Sequence, residues 1–130
     1  MGDISQKGEA YLDTNLDDLE GEVWESVFGF DGYYQVSNLG RIKSERRITT
    51  KGYYTKEIIR KQQKSRKEGY QALKVSFCVD GVETQRLVSN VVAESFGLFK
   101  NKEEGIVHHK NLNQFDCRLE NLCILTRSQM

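Results

Sequence analysis

The sequence predicts an α+β fold, with one helix packed on a small, mostly antiparallel sheet and a strand–loop–strand unit at the C-terminal end. Apolar residues alternate from Tyr70 to Val79, and Asp80-Gly81, a dipeptide typical of tight hairpin turns, follows them. From Leu87 to Phe96 the apolar residues recur at helical spacing instead. Two short apolar runs, 106–107 and 122–125, then flank a polar, turn-rich loop, which is typical of two paired strands.

Length and composition limit the classes of protein that this sequence fits. The 130 residues suit one compact domain, and a hydrophobic content of 38% is enough for a modest core. No apolar run reaches the roughly 18 residues of a membrane helix, and no signal peptide is visible, so we expect neither a membrane span nor secretion. The three cysteines form an odd set without CxxC spacing, which favours a reducing, intracellular setting over a disulfide framework.

The formal net charge of zero conceals an uneven distribution. Residues 1–20 carry six acids against one lysine, whereas residues 41–67 carry eleven Lys or Arg against two Glu, a net of nine positive charges. A charged run of this kind can be a solvated face of a sheet, but the aromatic residues in and beside it favour contact with nucleic acid. The candidate phosphate-binding side chains are Arg41, Lys43, Arg46, Arg47, Lys51, Arg60, Lys61 and Lys64.

The N-terminal half begins the sheet. Residues 1–20 leave two structures open, a short amphipathic helix through Leu12, Leu16 and Leu19 or a disordered acidic tail that screens the basic segment. Turn signals at 31–32 and 38–40 then predict two short strands, at 33–36 and 41–43, with Trp24 and Phe30 packed on one face.

Three further elements follow from local sequence. Residues 57–61 predict a strand centred on two isoleucines, whereas the polar residues 61–68 predict an exposed loop. Residues 82–86 predict the return strand of the hairpin. Gly97 predicts the end of the helix.

Two adjacent histidines, His108 and His109, lie at the end of the first apolar run of the strand–loop–strand unit, and Asn121 begins the second. A metal-assisted phosphodiesterase needs such a pair, because one imidazole can hold a divalent cation while its neighbour takes a proton from water. A surface pair without chemistry is the plainer interpretation. Zinc held by one of these histidines with Cys117 and Cys123 is a third, although the spacing matches no common structural zinc site.

Residues 22–44 fit the pattern E-x-W-x-x-[IV]-x-G-[YF]-x-G-x-Y-x-V-S-N-x-G-R-[IV]-x-S throughout. This pattern resembles the nuclease-associated modular domain found ahead of phage and bacterial HNH endonucleases, with Phe28 where proline is common in that family. The resemblance implies a small sheet that lies against DNA. The helical segment that follows is also similar to the helix of the HNH family, although Ser89 and Asn90 replace the usual His and Arg.

Residues 106–126 resemble the HNH motif, in which relatives read V-[DNH]-H-x-[DN]-G-N-x-x-[DN]-N-x-x-x-N-L-x-W-V-T. Three kinds of departure stand out: Leu112 replaces Gly, Cys117 replaces a common Asn, and Cys123 and Ile124 replace a charged or polar residue and Trp. Because glycine is missing at position 112, we expect the tight turn after His109 to form in a different way from the turn in relatives. The residues in register are Val107, His108, His109, Asn113, Asp116, Asn121, Leu122 and Thr126.

The resemblance implies roles for three of the matching residues. His109 is the general base, His108 binds the metal, and Asn121 braces the loop and orients the base. One divalent metal ion is implied, Mg or Mn, with Zn or Ni as alternatives; a histidine ligand favours Mn, Zn or Ni, because hard magnesium prefers oxygen. The second protein ligand of relatives lies on a final helix. By register this position is Met130, a poor ligand, so we expect that helix to be missing or truncated.

The resemblance therefore implies a DNA endonuclease of the HNH type that hydrolyses phosphodiester bonds with a divalent metal. We expect an acidic tail or short helix at 1–20, a DNA-binding sheet module at 21–86 that includes the basic segment 41–67, and a helix with the HNH-like motif at 87–130. DNA is the expected partner, without membrane contact, and a monomer is favoured. The expected location is intracellular, as a phage-encoded protein in a bacterial host or in the bacterial cytoplasm. Two alternatives stay open: a catalytically degenerate, HNH-derived module that binds DNA or regulates, and a zinc-stapled interaction domain.

Overall fold

The computed structural model describes residues 9–48, 51–67, 70–98 and 105–126. These ranges hold nine β-strands, one α-helix, α1 (Val88–Ser95), and 3-10 turns at 9–12 and Leu119–Asn121. The α+β class predicted from the sequence is confirmed. The strands are β1 (Trp24–Ser26), β2 (Tyr34–Ser37), β3 (Ile42–Ser44), β4 (Ile58–Arg60), β5 (Gln63–Lys67), β6 (Tyr70–Val79), β7 (Val82–Leu87), β8 (Ile106–His109) and β9 (Leu122–Leu125).

The first sheet is antiparallel throughout, in the order β1-β2-β3-β4. The strands predicted at 33–36, 41–43 and 57–61 correspond to β2, β3 and β4, each within one residue at either end. Between β2 and β3 the chain reverses through Gly40, whose φ of 89° lies in the left-handed region that glycine adopts without strain.

The second sheet has the order β5-β6-β7, and its β6–β7 hairpin is the one that the sequence predicts. Asp80 and Gly81 have φ values of 52° and 80°, as a two-residue turn with both central residues left-handed requires. The alternation along β6 also holds, since Leu73, Val75 and Phe77 are at most 3% exposed. Local sequence is enough here because the turn and the pattern specify the same register.

The exposed loop predicted at 61–68 is wrong over residues 63–67, which form β5 and pair antiparallel with β6. Residue 68 lies outside the described ranges. The segment is polar and lacks alternation, so its strand conformation depends on the backbone partners that β6 supplies. β5 is an edge strand, and its charged side chains suit an edge that must not pair with a further strand.

One hydrophobic core joins both sheets, α1 and the C-terminal hairpin. Its fully buried members include Val36 from the first sheet, Phe77 from the second and Val92 from the helix, and Leu122 of β9 packs against the same cluster. Helix α1 contacts β2, β6, β7 and β8, so it lies between the sheets and the hairpin.

The helix ends where the sequence predicts. Gly97 adopts a φ of 74°, and the amide groups of Gly97 and Leu98 donate to the carbonyl groups of Glu94 and Ala93, at 3.3 and 2.8 Å. These two bonds form a Schellman cap, which satisfies carbonyl groups that the helix end leaves open. None of the helices in the described ranges has the length and apolar character that a membrane crossing requires.

The N-terminal segment forms neither of its two predicted structures over the described residues 9–20. The 3-10 turn at 9–12 buries Tyr11, but Leu12 and Leu16 are 56% and 45% exposed, so the predicted apolar face does not form. Residues 13–19 run as irregular chain against the first sheet, where their carbonyl groups bind Arg41. Tertiary contacts therefore replace the helix. Residues 1–8 lie outside the described ranges.

Candidate functional site

The candidate site is the β8–β9 hairpin and its connecting loop. In the antiparallel register, His109 lies opposite Leu122 and His108 lies opposite Cys123. Successive side chains of a strand point to opposite faces. We call the face with Val107, His109 and Leu122 the core face, because these residues are buried in the core or packed against it. The face with Ile106, His108 and Cys123 is the outer face.

His109 lies on the core face and is 7% exposed. Its Nε2 atom lies 3.9 Å from the Sγ atom of Cys117. Burial lowers the pKa of the His109 imidazole; the charge of Asp116 opposes this effect, and the neighbouring His108 adds to it. A lowered pKa keeps the imidazole neutral at neutral pH, which is the form that accepts a proton.

Asn121 holds the loop that follows His109. Its side-chain nitrogen donates to the Oδ1 atom of Asn111 at 3.0 Å and to the carbonyl group of Asp116 at 2.8 Å. Its Oδ1 atom accepts from the amide of Asn111 at 3.1 Å, and its carbonyl group accepts from the amide of Lys110 at 2.7 Å. Four hydrogen bonds from one buried residue therefore fix the chain directly after His109.

Asp116 and Arg118 form the second fixed point of the loop. Arg118 donates from Nε and NH2 to the two carboxylate oxygens of Asp116, at 2.8 Å each, and Asn111 donates to the same carboxylate at 2.8 Å. Burial alone would raise the pKa of Asp116, but the hydrogen bonds and charge of Arg118 outweigh it and hold that pKa below its usual range. The carboxylate is therefore ionised and already satisfied.

The loop makes its tight turn at Leu112 itself. The expectation that this turn forms in a different way from the glycine turn of relatives is therefore wrong. Leu112 has a φ of 65°, in the left-handed region that favours glycine. Its amide donates to the carbonyl group of His109 at 2.9 Å, and its side chain is 71% exposed. A leucine in this conformation is strained by about 1–2 kcal/mol, which the hydrogen-bonded loop around it offsets.

The loop also docks on the first sheet. The amide of Leu119 donates to the carbonyl group of Asn38 at 2.7 Å. Gly40 lies against the backbone of Cys117, at a distance where an added Cβ atom would make an ordinary van der Waals contact of 3.4 Å. The hairpin is thereby held against the turn between β2 and β3.

The zinc set considered from the sequence is split between the two faces. Cys117 lies beside His109 and is buried, which raises the pKa of its thiol to about 12. Cys123 lies opposite His108 on the outer face. A single zinc ion therefore cannot take both cysteines in this structure, and the thiol of Cys117 resists the ionisation that metal binding requires.

Arg41 is not available to a phosphate, and its assignment to DNA contact is corrected. Its side chain is 0% exposed and pairs with Glu22 through two hydrogen bonds of 2.9 and 2.6 Å. Its remaining donors bind the carbonyl groups of Asp13, Asn15 and Asp17 at 2.6 to 3.0 Å. All five N–H donors of the guanidinium group are therefore used within the chain.

Lys43 is also enclosed, being 8% exposed, so its assignment to phosphate contact is corrected too. Its Nζ atom lies 4.1 Å from the centre of the Trp24 ring and 3.9 Å from the carboxylate of Glu57. The cation therefore stabilises the sheet through an aromatic ring and a carboxylate.

The other predicted cations lie at or near the surface. Three of them rest on aromatic rings: Arg46 on Tyr54 at 4.5 Å, Arg47 on Tyr33 at 4.9 Å and Lys64 on Phe115 at 5.0 Å. Such stacking limits side-chain motion and leaves the polar edge of an arginine free to bind. Lys51 and Lys61 are exposed, and Arg60 is half-buried.

Two family descriptions match this sequence. Residues 22–76 match the family described as the NUMOD4 motif, and residues 87–130 match the family described as HNH endonuclease. The two resemblances seen in the sequence are therefore confirmed: a NUMOD4 motif is followed in this chain by a segment of the HNH endonuclease type. No curated protein sequence matches it.

The fold is similar to a solved structure described as DNA binding and cleavage by the HNH homing endonuclease I-HmuI. The TM-score is 0.57 at 24% sequence identity, and the match covers 82% of this chain and 53% of the other. At this identity the likeness concerns the fold, and the chain spans about half the length of that protein.

Members of the HNH endonuclease family generally use a divalent metal. Within the ranges that the structure describes, no three His, Cys, Asp or Glu side chains form a group that could hold a metal ion. His108 offers a half-exposed imidazole on the outer face, whereas the carboxylate of Asp116 is taken by Arg118. Of these two side chains, His108 is therefore the one that is open to a metal ion. Met130, the expected second ligand position, lies outside the described residues.

The structure also shows site residues that sequence reasoning did not single out. Asn111 and Arg118 complete the network around Asp116 and Asn121, and Glu22 neutralises Arg41. A signal was present for Arg118, because an acid and a base two residues apart in a polar loop often pair. The partnership of Glu22 and Arg41 spans 19 residues and depends on sheet register.

Proposed function

We propose that this chain is a DNA endonuclease of the HNH type, which hydrolyses a phosphodiester bond with the help of a divalent metal. One observation carries the proposal: the same chain places the histidine pair at the end of a braced HNH hairpin and packs that hairpin against a NUMOD4 module with exposed cations. The similar HNH homing endonuclease I-HmuI is described as binding and cleaving DNA. We propose the same class of partner here.

In this proposal His109 is the general base. Its lowered pKa leaves the imidazole neutral and able to take the proton of the attacking water. The side chain is 7% exposed, so contact with DNA must open a path for water to its ring. Asn121 acts on the base indirectly, since its hydrogen bonds to Asn111 and Asp116 fix the loop that begins at His109.

His108 is the proposed protein ligand of the metal, because its imidazole is half-exposed on the outer face. A bound divalent ion supplies charge neutralisation at the scissile phosphate and its leaving oxygen. Manganese, zinc or nickel suits a nitrogen ligand better than magnesium does.

The proposed grip on DNA comes from the surface cations of the NUMOD4 module and the neighbouring strands. Arg46 and Arg47 present guanidinium groups that aromatic rings hold in place, and these groups can bind phosphate oxygens. Such contacts give an affinity that falls as salt concentration rises. The proposed set is Arg46, Arg47, Lys51, Arg60, Lys61 and Lys64.

A supercoiled-plasmid assay with magnesium, manganese or no metal tests the endonuclease. We expect nicking that requires metal and that His109→Ala reduces by about 100-fold or more. Val82→Ala, which changes an exposed residue on the β6–β7 hairpin, should cut as the wild type does. Cutting by His109→Ala at the wild-type rate would remove His109 from the mechanism.

A second function, DNA binding or regulation without cleavage, has one specific observation in its favour. His108 and His109 lie on opposite faces of β8, and the proposed base is buried beside Cys117. This alternative predicts no nicking with any metal, together with salt-sensitive binding in a gel shift. Binding that Arg46→Ala weakens, without any cleavage by the wild type, would establish it.

We further propose that the protein acts inside a phage-infected or bacterial cell. Within the described ranges Cys78, Cys117 and Cys123 are all free thiols, as is usual in a reducing compartment. Mass spectrometry of the protein isolated from its host under alkylating conditions would test this, since an intermolecular disulfide would contradict it.

A further inference from the structure

Cys123 has no role in the HNH resemblance, where its position carries a charged or polar residue. The β8–β9 register places it directly opposite His108. Residues directly opposite in an antiparallel pair share a face, and their Cβ atoms lie about 4.5–5.5 Å apart. This separation allows an imidazole nitrogen and a thiol sulfur to reach one metal ion, whose bonds to them are about 2.0 and 2.3 Å long.

The surroundings of this pair suit a ligand better than those of the other cysteines do. His108 and Cys123 are both half-exposed, on the face that points away from the core. Cys117 is buried on the core face, with the pKa of its thiol raised to about 12. Cys78 is exposed on β6 and, like Cys117, does not share the outer face of the hairpin.

We propose that Cys123 is a second protein ligand of the metal, beside His108, and that the site prefers zinc or cobalt to magnesium. The inference rests on the proposed metal position at His108. On binding, the S–H bond of Cys123 breaks, its proton passes to the solvent, and the sulfur donates an electron pair to the metal without any change of oxidation state. Sulfur and imidazole ligands select borderline metals, whereas magnesium requires oxygen. Water and phosphate oxygens take the remaining positions.

Alkylation of the wild-type protein tests the inference without any substitution. The protein is treated with iodoacetamide, alone and with zinc, cobalt or magnesium, and each cysteine is quantified by peptide mass spectrometry. We expect zinc and cobalt to slow the alkylation of Cys123 by about tenfold or more, because a metal-bound thiolate is a poor nucleophile, and magnesium to leave it unchanged. Cys78, exposed in the same sample, is the internal control and should react at one rate throughout. No protection of Cys123, or equal protection of Cys78, would overturn the proposal.

Cobalt spectroscopy identifies the ligands. Cobalt added to the full chain in thiol-free, anaerobic buffer should produce a near-ultraviolet sulfur-to-cobalt charge-transfer band with one ion per chain. His108→Ala and Cys123→Ser should each reduce the intensity of this band by about tenfold or more, whereas Cys78→Ser should leave the intensity unchanged. Circular dichroism of each variant shows that the fold is intact. A band that persists in folded Cys123→Ser would assign the sulfur elsewhere and contradict the proposal.

The two proposals can fail separately. If zinc protects Cys123 but the protein cuts no plasmid, the proposal that His108 and Cys123 bind the metal is supported and the proposed endonuclease function is contradicted. Plasmid cleavage without protection of Cys123 by zinc or cobalt would leave the endonuclease in place and remove Cys123 from the metal site.

Discussion

The NUMOD4 module and the HNH hairpin each fix a loop with a buried polar side chain, but the side chains differ in charge and reach. In the module, the buried Arg41 gathers Glu22 and three carbonyl groups of the N-terminal segment. In the hairpin, the neutral Asn121 binds its neighbours within ten residues. A long cation ties distant chain to a sheet, whereas a short amide shapes one loop.

This difference shows which motif residues build the scaffold. Arg41 belongs to the module's sequence pattern and to its basic segment, yet its side chain is fully buried. Arg46, five residues on, is exposed and stacked on Tyr54. Position in a basic segment therefore does not separate a structural cation from one that can meet DNA. The following substitutions test this contrast, beginning with the largest expected effect.

Arg41→Ala should lower the free energy of unfolding by about 3–5 kcal/mol, because Glu22 stays buried without its partner and three carbonyl groups lose their donors. Urea unfolding followed by circular dichroism measures the change. Arg46→Ala is the matched control, and it should change the free energy of unfolding by less than about 0.5 kcal/mol. It should also make the slope of log DNA affinity against log salt concentration shallower by about one unit, as expected for the loss of one phosphate contact. Equal stabilities of the two variants would contradict the contrast.

Glu22→Gln should lower the free energy of unfolding near neutral pH and make stability less dependent on pH in the acidic range. Burial alone would raise the pKa of Glu22, but the hydrogen bonds from Arg41 and the amide of Leu19 lower it below the ordinary value of 4.5. A carboxyl group whose pKa is lower in the folded state than in the unfolded state stabilises the fold when the pH is above its unfolded-state pKa. This contribution is lost as the pH falls through the folded-state pKa.

The measurement is the free energy of unfolding of both proteins from about pH 7 to about pH 3. The wild type should be more stable near neutrality, and the difference should shrink as pH falls below the ordinary glutamate value. Asp116 also has a lowered pKa, but it is present in both proteins, so its contribution cancels. If the difference in stability between the two proteins does not change with pH, Arg41 does not lower the pKa of Glu22.

Asn121→Ala should lower the free energy of unfolding by about 1–3 kcal/mol, since the backbone amide of Asn111 and the carbonyl group of Asp116 each lose the hydrogen bond that Asn121 makes to them. Asn113→Ala, which removes an exposed hydrogen bond to the amide of Phe115 in the same loop, should cost about 0.5 kcal/mol. Thermal unfolding of both variants gives the comparison. If Asn113→Ala is the more damaging, the brace lies elsewhere in the loop.

Leu112→Gly should raise the free energy of unfolding by about 0.5–1 kcal/mol, because glycine adopts the φ of 65° without strain. The gain is smaller than the strain because glycine also increases the entropy of the unfolded chain. Val82→Gly, at an exposed strand position, should lower stability by a similar amount. Destabilisation by Leu112→Gly would mean that the leucine side chain makes a stabilising contact.

How much of the fold could be predicted is clearest within the second sheet. The β6–β7 hairpin was predictable because Asp80 and Gly81 specify the turn and the alternation through Phe77 specifies the buried face. The neighbouring β5 was not, because a polar segment carries no periodicity and pairs only where another strand offers its backbone. At the candidate site, the resemblance found His108, His109 and Asn121, but it could not show that His109 is buried beside Cys117 or which residue of β9 lies opposite His108.

The sequence by itself determined the α+β class, the helix with its glycine end, the HNH hairpin and the resemblance to NUMOD4 and HNH endonuclease segments. Each of these depends on spacing or on a motif that is contiguous in the chain. Only the tertiary structure decided that Arg41 is buried, that the N-terminal segment is irregular chain, and that Cys123 lies opposite His108. These features depend on strand register and on partners far apart in sequence, because burial and pairing are properties of the assembled core.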